Sequence, residues 1–287
     1  MRNMAISGAA RVLSVGWSVA LAAAMLCRPA APRATAADIH APLDRILDMY
    51  VRDGHVYYRW LQSERQPLDQ YVRSLDIPAA EVAAWPKPEQ LAFWINAYNA
   101  LVLQTVIGKY PIKGLSKDYP VNSIRQIPGS FEQLPHRVAG RTLTLDAIEK
   151  TMIEPLGDAR ALLALGRGAI GSGRLRSEAY RADRLDEQLE QALKEFVTRP
   201  AGFQVNPDAN AVIVSPLFGW RQDAFIASFA KAGERWVDRS PIEQALLGMA
   251  APKLFATERE FLLQNTFQLK YGVFDWRLND LTGGIPK

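Results

Sequence analysis

Cysteine occurs once in the 287 residues, at Cys27, and histidine three times. One thiol cannot close an intramolecular disulfide, and so few histidines without a Cys/His cluster leave no zinc or iron–sulfur spacing. Disulfide scaffolds and zinc enzymes are thereby excluded, and no cofactor is expected. Long apolar runs are also missing. The longest, Val12 to Cys27, is 16 residues, short of the ~20 that span a bilayer as a helix. Repeats and low-complexity tracts are absent.

The basic surplus is local. Residues 1–36 hold Arg2, Arg11, Arg28 and Arg33 and no acid, and the remaining 251 residues carry thirty basic and thirty acidic side chains. A sequence pI near 9.2 therefore reflects a leader and not a basic face, so nucleic-acid binding is set aside. Arg2 and Arg11 precede the apolar run, and Ala34-Thr35-Ala36 supplies the small-x-small pattern of a secretory cleavage site. The reading is a signal peptide over 1–36, cleavage near Ala36, and a periplasmic or secreted domain over 37–287 with no membrane attachment after cleavage. Cys27 follows Met25-Leu26 and lacks the context of a lipidated cysteine. The mature chain would contain no thiol, which suits an oxidising compartment and removes cysteine nucleophiles.

At 48% hydrophobic and 22% charged, the chain has the composition of an ordinary globular protein with a real core. Apolar spacing predicts a helix from Pro42 to near Gly54, then a short strand at Val56-Tyr57-Tyr58. From Pro88 to Lys109 apolar residues fall on nearly every side, as in a helix buried within a domain. A hairpin is expected at Arg137 to Thr142 around Gly140. Thr144 reads as an N-cap opening a helix to Glu154, Ala161 to Leu165 as a buried strand, Asp183 to Thr198 as an amphipathic helix, and Ala211 to Val214 as a strand. Ser240-Pro241-Ile242-Glu243 and Thr257-Glu258-Arg259-Glu260 read as capping boxes. The fold class is α+β: a helix-rich single domain with a buried central helix and a small sheet.

Candidate site residues are few. Asn96 and Asn99, three apart on the buried helix, can project to one side. They either bind neighbouring loop backbone or line a polar cavity, because an unpartnered buried amide costs ~1–3 kcal/mol. Gly166-Arg167-Gly168-Ala169-Ile170-Gly171 matches G-x-G-x-x-G after the expected strand. Ser172-Gly173-Arg174 continues the loop where a helix should open, which argues against a dinucleotide. Ser172 could act as a nucleophile with His136 or Lys150 as base. Asp275 and Asp280 read as a docked C-terminal segment in preference to a carboxylate pair, and Trp220 and Trp276 as packing anchors.

Leu91-Ala92-Phe93-Trp94-Ile95-Asn96-Ala97-Tyr98-Asn99-Ala100-Leu101 closely resembles the hallmark helix of a large, mainly bacterial family classified only as a domain of unknown function, with related domains fused to leucine-zipper regions in plant proteins. Residues 54–58, 143–149, 176–189, 214–220 and 274–279 are similar to that family's pattern in the same order. The resemblance implies a histidine and two cysteines in the loop after 161–165, where this chain has Leu162, Arg167 and Ser172, with Gly173-Arg174 in place of a proline pair. Where the family commonly has a histidine after the Ile-Glu pair, this chain has Lys150. A thiol–imidazole mechanism would have lost both halves here. The resemblance thus points to a non-catalytic or repurposed member. Its expected site is a pocket of Asn96, Asn99, Arg167, Ser172 and Arg174 for a small anionic ligand, or a surface for a partner in the cell envelope. The alternative is a hydrolase or transferase using Ser172.

Overall fold

The computed structural model describes residues 36–282; Cys27 and the signal peptide expected over 1–36, apart from Ala36, lie outside the described residues. Helix α1 spans Ala36–Tyr50. It begins ahead of Pro42, because the buried stripe Leu43, Ile46, Leu47 and Tyr50 continues upstream through His40. A hairpin follows, β1 (Val51–Arg52) with β2 (His55–Val56). Asp53 and Gly54 both have positive φ at its tip, and Gly54 accepts that backbone without a Cβ penalty. The expected strand stops at Val56, since Tyr58 opens α2 (Tyr58–Ser63), followed by α3 (Gln66–Ser74) and α4 (Ala79–Ala83).

Helix α5 (Lys87–Ile107) is the axis of the molecule, with an unbroken buried run from Leu91 to Leu103. Pro86 and Pro88 start it, as proline suits a first turn whose N–H groups have no intrahelical partner. Elements before and after it in the chain wrap this helix, which is why its residues are apolar all round.

The expected hairpin is present, β3 (His136–Val138) with β4 (Arg141–Leu143), turned by Ala139 and Gly140 at positive φ. Thr144 caps α6 (Leu145–Ala147) through its hydroxyl. The chain then widens into π-type turns over Ile148–Ile153 and tightens over Glu154–Leu156. The segment expected as a strand at Ala161 to Leu165 is instead helical, α7 (Arg160–Leu163). A short run buried on every side has no periodicity to separate strand from helix.

Helix α8 (Leu185–Val197) follows. A three-stranded sheet is then built from β5 (Phe203–Asn206), β6 (Ala211–Val214) and β7 (Gln268–Tyr271), in that order. Strands β5 and β6 are antiparallel, and β6 and β7 are parallel. Four helices fill the crossover: α9 (Pro216–Trp220), α10 (Gln222–Phe229), α11 (Pro241–Ala250) and α12 (Ala256–Gln264). The Ser240–Glu243 box forms. The second box is displaced by two residues, since Glu258, and not Glu260, returns to the Phe255 N–H. The C-terminal segment docks as expected: Asp280 accepts from Tyr110 Oη at 2.7 Å, and Leu278 bridges Ala169. The fold is helix-rich α+β with small sheets, and no helix among the described residues is long and apolar enough to cross a membrane.

Candidate functional site

Asn96 and Asn99 are 1% and 3% exposed, and each amide clasps loop backbone. Asn96 Nδ2 donates to the Tyr180 carbonyl at 2.8 Å, and its Oδ1 accepts from the Tyr180 N–H at 2.9 Å. Asn99 Nδ2 donates to the Ala164 carbonyl at 3.2 Å, and its Oδ1 accepts from the Gly166 N–H at 2.8 Å. Both ends of each amide are thus occupied by main chain. Gln188, on α8, does the same with Arg181 N–H and the Ala179 carbonyl. Three amides therefore hold the stretch 164–181 against α5 and α8, and the two asparagines do not line a cavity.

The glycine loop has no dinucleotide geometry. A helical turn precedes it, Gly168 turns the chain at φ 65°, and the loop pairs with the C-terminal segment: Ile170 N–H donates to the Arg277 carbonyl and Gly171 N–H to that of Asp275, both at 2.9 Å. A Cβ on Gly171 would lie 2.7 Å from Asp275 N, so glycine here serves a close backbone approach and not a phosphate.

Arg167 is 3% exposed and points inward. Its guanidinium donates to Glu149 Oε1 at 2.8 Å and to the carbonyls of Leu162 and Leu165 at 3.2 and 3.4 Å. Burial opposes its charge, yet Glu149, Tyr98 and Glu154 together outweigh burial and hold its pKa above the ordinary value. Glu149 also lies 2.9 Å from Arg221 Nε, and Arg221 donates to Asp146 at 3.0 Å. Asp146 in turn holds Lys150 at 2.8 Å. Arg221 Nε stands 2.7 Å from Glu154 as well, and burial raises the Glu154 pKa against the pull of that guanidinium. Three cations thus face three carboxylates, and the buried Tyr98 hydroxyl has no hydrogen-bond partner among the described residues.

Ser172 is 1% exposed. Its hydroxyl donates to the Ala169 carbonyl at 2.6 Å and accepts from the Arg167 N–H at 3.2 Å. No hydrogen bond joins it to His136 or Lys150 among the described residues. Lys150 is turned outward to Asp146, and burial lowers the His136 pKa to about 4, on β3.

Of the five residues of the expected pocket only Arg174 reaches open space. It crosses Gly54, whose added Cβ would sit 2.4 Å from Arg174 Cγ, and meets Asp53 at 3.3 Å. It borders a cleft of about 460 Å³ with Asp44, Asp48, Arg176, Glu178 and Glu195. Arg176 pairs with Glu178 at 2.7 Å, whereas Asp48 and Glu195 enter no ion pair in this cleft among the described residues. Burial, followed by the nearby Arg174 charge, lowers the pKa of Arg199, which donates to the Ser172 carbonyl. The cleft acids escape sequence reading because nothing separates Asp44 and Asp48, four apart on α1, from an ordinary solvated face. Glu149 did carry a signal: it lies in the apolar stripe Leu145, Ile148, Met152, Ile153. Trp220 is 42% exposed and stacks on Trp276, so it anchors packing with one side only.

No group of three or more His, Cys, Asp or Glu among the described residues could hold a metal ion. No curated protein and no solved structure matches the chain. Residues 82–197, the stretch that carries α5, Glu149, Arg167 and Ser172, are similar to the family described as "Protein of unknown function, DUF547".

Proposed function

We propose that this is a non-catalytic binding protein of the periplasm or the medium, formed after removal of the leader, whose ligand enters the cleft beside Arg174. The observation that carries this reading is that the polar groups of Asn96, Asn99, Arg167 and Ser172 are all consumed inside the protein, whereas Arg174 opens on a charged cleft. An anionic group can meet Arg174, which is only loosely held by Asp53. The unpaired carboxylates of Asp48 and Glu195 favour an ammonium in the same ligand. A small zwitterion, such as a basic amino acid or short peptide, satisfies both, and the cleft volume lies within the range of small-molecule sites.

Calorimetric titration with L-lysine, L-glutamate and cadaverine tests it. L-Lysine is expected to bind and L-glutamate to bind more weakly. Arg174→Ala is expected to weaken L-lysine while leaving cadaverine, which has no carboxylate, unchanged. Absence of binding by L-lysine would overturn the cleft assignment. A fluorophosphonate probe that labels the protein but not Ser172→Ala would overturn the non-catalytic reading and restore Ser172 as a nucleophile.

A further inference from the structure

Another cleft lies where α4, the first half of α5, the tip of the β3–β4 hairpin and the turns after α6 meet, and it holds about 200 Å³. Ala79 and Ala83 from α4, with Met152, Pro155 and Leu156 from the turns, give it apolar walls. Ala83 and Pro155 are exposed and the other three are half-buried, so this surface is open to a ligand. Trp94 also lines the cleft and is 4% exposed. Its indole N–H has no hydrogen-bond partner among the described residues. Such a donor usually finds a partner when its ring is buried, and the cleft is a space from which one can come.

The charge of the lining has one sign. Arg141, the first residue of β4, is the only charged side chain among the lining residues, and no carboxylate stands with it. It is exposed and enters no ion pair among the described residues; its guanidinium meets Met152 Sδ, 4.0 Å from Nη1, and a thioether is a weak acceptor. Acids on the same and adjoining segments are spent elsewhere: Asp76 on Arg137 and the Gly140 N–H, Asp146 on Lys150 and Arg221. The Gln90 amide nitrogen is taken up by the carbonyls of Ala83 and Trp85.

We propose that this cleft binds a small aromatic monocarboxylate, with its carboxylate on Arg141 and its ring against Met152, Leu156 and Trp94. A guanidinium matches a carboxylate with a two-pronged pair of hydrogen bonds, and an aromatic ring gains from the Met152 sulfur and the indole. A cavity of about 150 Å³ holds benzene, so the space here admits one ring and its carboxylate but no long chain. The Arg174 cleft is a separate site, lined by five carboxylates, which do not favour an anion that carries no ammonium.

Sodium benzoate is the probe, titrated into isotope-labelled protein while the tryptophan indole N–H signals are followed by NMR, with benzylamine and inorganic phosphate as comparisons. Benzoate is expected to saturate one site per chain and to move the Trp94 signal, identified by its loss in Trp94→Phe. Benzylamine carries the ring with the wrong charge and phosphate the charge without the ring, and both are expected to bind more weakly. Arg141→Glu should weaken benzoate by about fivefold or more, the loss and reversal of a partly exposed ion pair, while Arg141→Lys should retain more of the affinity. Ala83→Trp, at an exposed position on the wall, should block benzoate while leaving the thermal transition in place. Arg174→Ala should leave benzoate unchanged. Absence of saturable binding, a Trp94 signal that stays in place, or equal affinity for benzylamine or phosphate would each overturn the proposal. So would unchanged affinity in Arg141→Glu or Ala83→Trp, or a loss of affinity in Arg174→Ala, which would put benzoate in the other cleft.

Discussion

Arg167 shows how one side chain decides what a site can do. Its guanidinium closes the space beneath the glycine loop, and its charge is tolerable there only because Glu149 and two carbonyls face it. Removing one partner of such a pair leaves an uncompensated buried charge, whereas replacing both by apolar groups does not. Glu149→Ala is therefore expected to destabilise the fold by about 3–5 kcal/mol in denaturant titration. The double variant Glu149→Leu, Arg167→Met should recover most of that loss. If the double variant is as unstable as the single one, the pair is not what Glu149 contributes. The asparagines follow the same logic without charge: each amide meets a backbone donor and acceptor that would otherwise be buried unpaired.

Among the elements, α5 and the loop 164–181 act together. The helix supplies Asn96 and Asn99, and the loop supplies the backbone they hold. The loop can approach closely because Gly171 and Gly173 lack a Cβ. At Gly173 a Cβ would come within 1.8 Å of the Leu163 carbonyl, an overlap of two main chains that no rotamer can relieve. Gly173→Ala should lower the melting temperature markedly, whereas Ser172→Ala, which removes one hydroxyl from the adjacent position, should cost about 1 kcal/mol. Similar losses for the two variants would mean that the loop has room the contact denies. The central helix was legible in the sequence because burial on all sides writes an apolar residue at nearly every position. Helix α7 was not, because its four residues, three of them buried, contain barely one turn and fit a strand equally well.

At the scale of the whole molecule, two buried imidazoles link stability to pH. His40 Nδ1 lies 2.7 Å from Tyr71 Oη and holds α1 to α3, and its Nε2 has no partner among the described residues. Burial lowers the pKa of His40 to about 4, and that of His136 likewise, from an ordinary value of 6.5. Both are neutral in the folded protein. Their contribution is fully present above pH 6.5 and is lost as pH falls towards 4, because the unfolded chain takes up protons first. By pH 5 the loss is about 2 kcal/mol for each imidazole. Chemical unfolding between pH 8 and pH 5 should show this decline, and His40→Gln should make it shallower. An unchanged slope in that variant would place the titration elsewhere.

Local pattern in the chain was enough for the charge-neutral body, the buried helix, the hairpin at Gly140, the strand at 211–214 and the amphipathic α8, since each is written by neighbours within a turn or a pleat. Whether Asn96 and Asn99 bind a ligand or a loop, and whether Arg167 faces solvent or Glu149, depended on partners 18 to 84 residues away, and only the tertiary structure decides such pairings. The clefts are of the same kind. Asp48 and Arg174, or Trp94 and Arg141, look ordinary in their own segments and acquire chemical meaning only because packing sets them around one space.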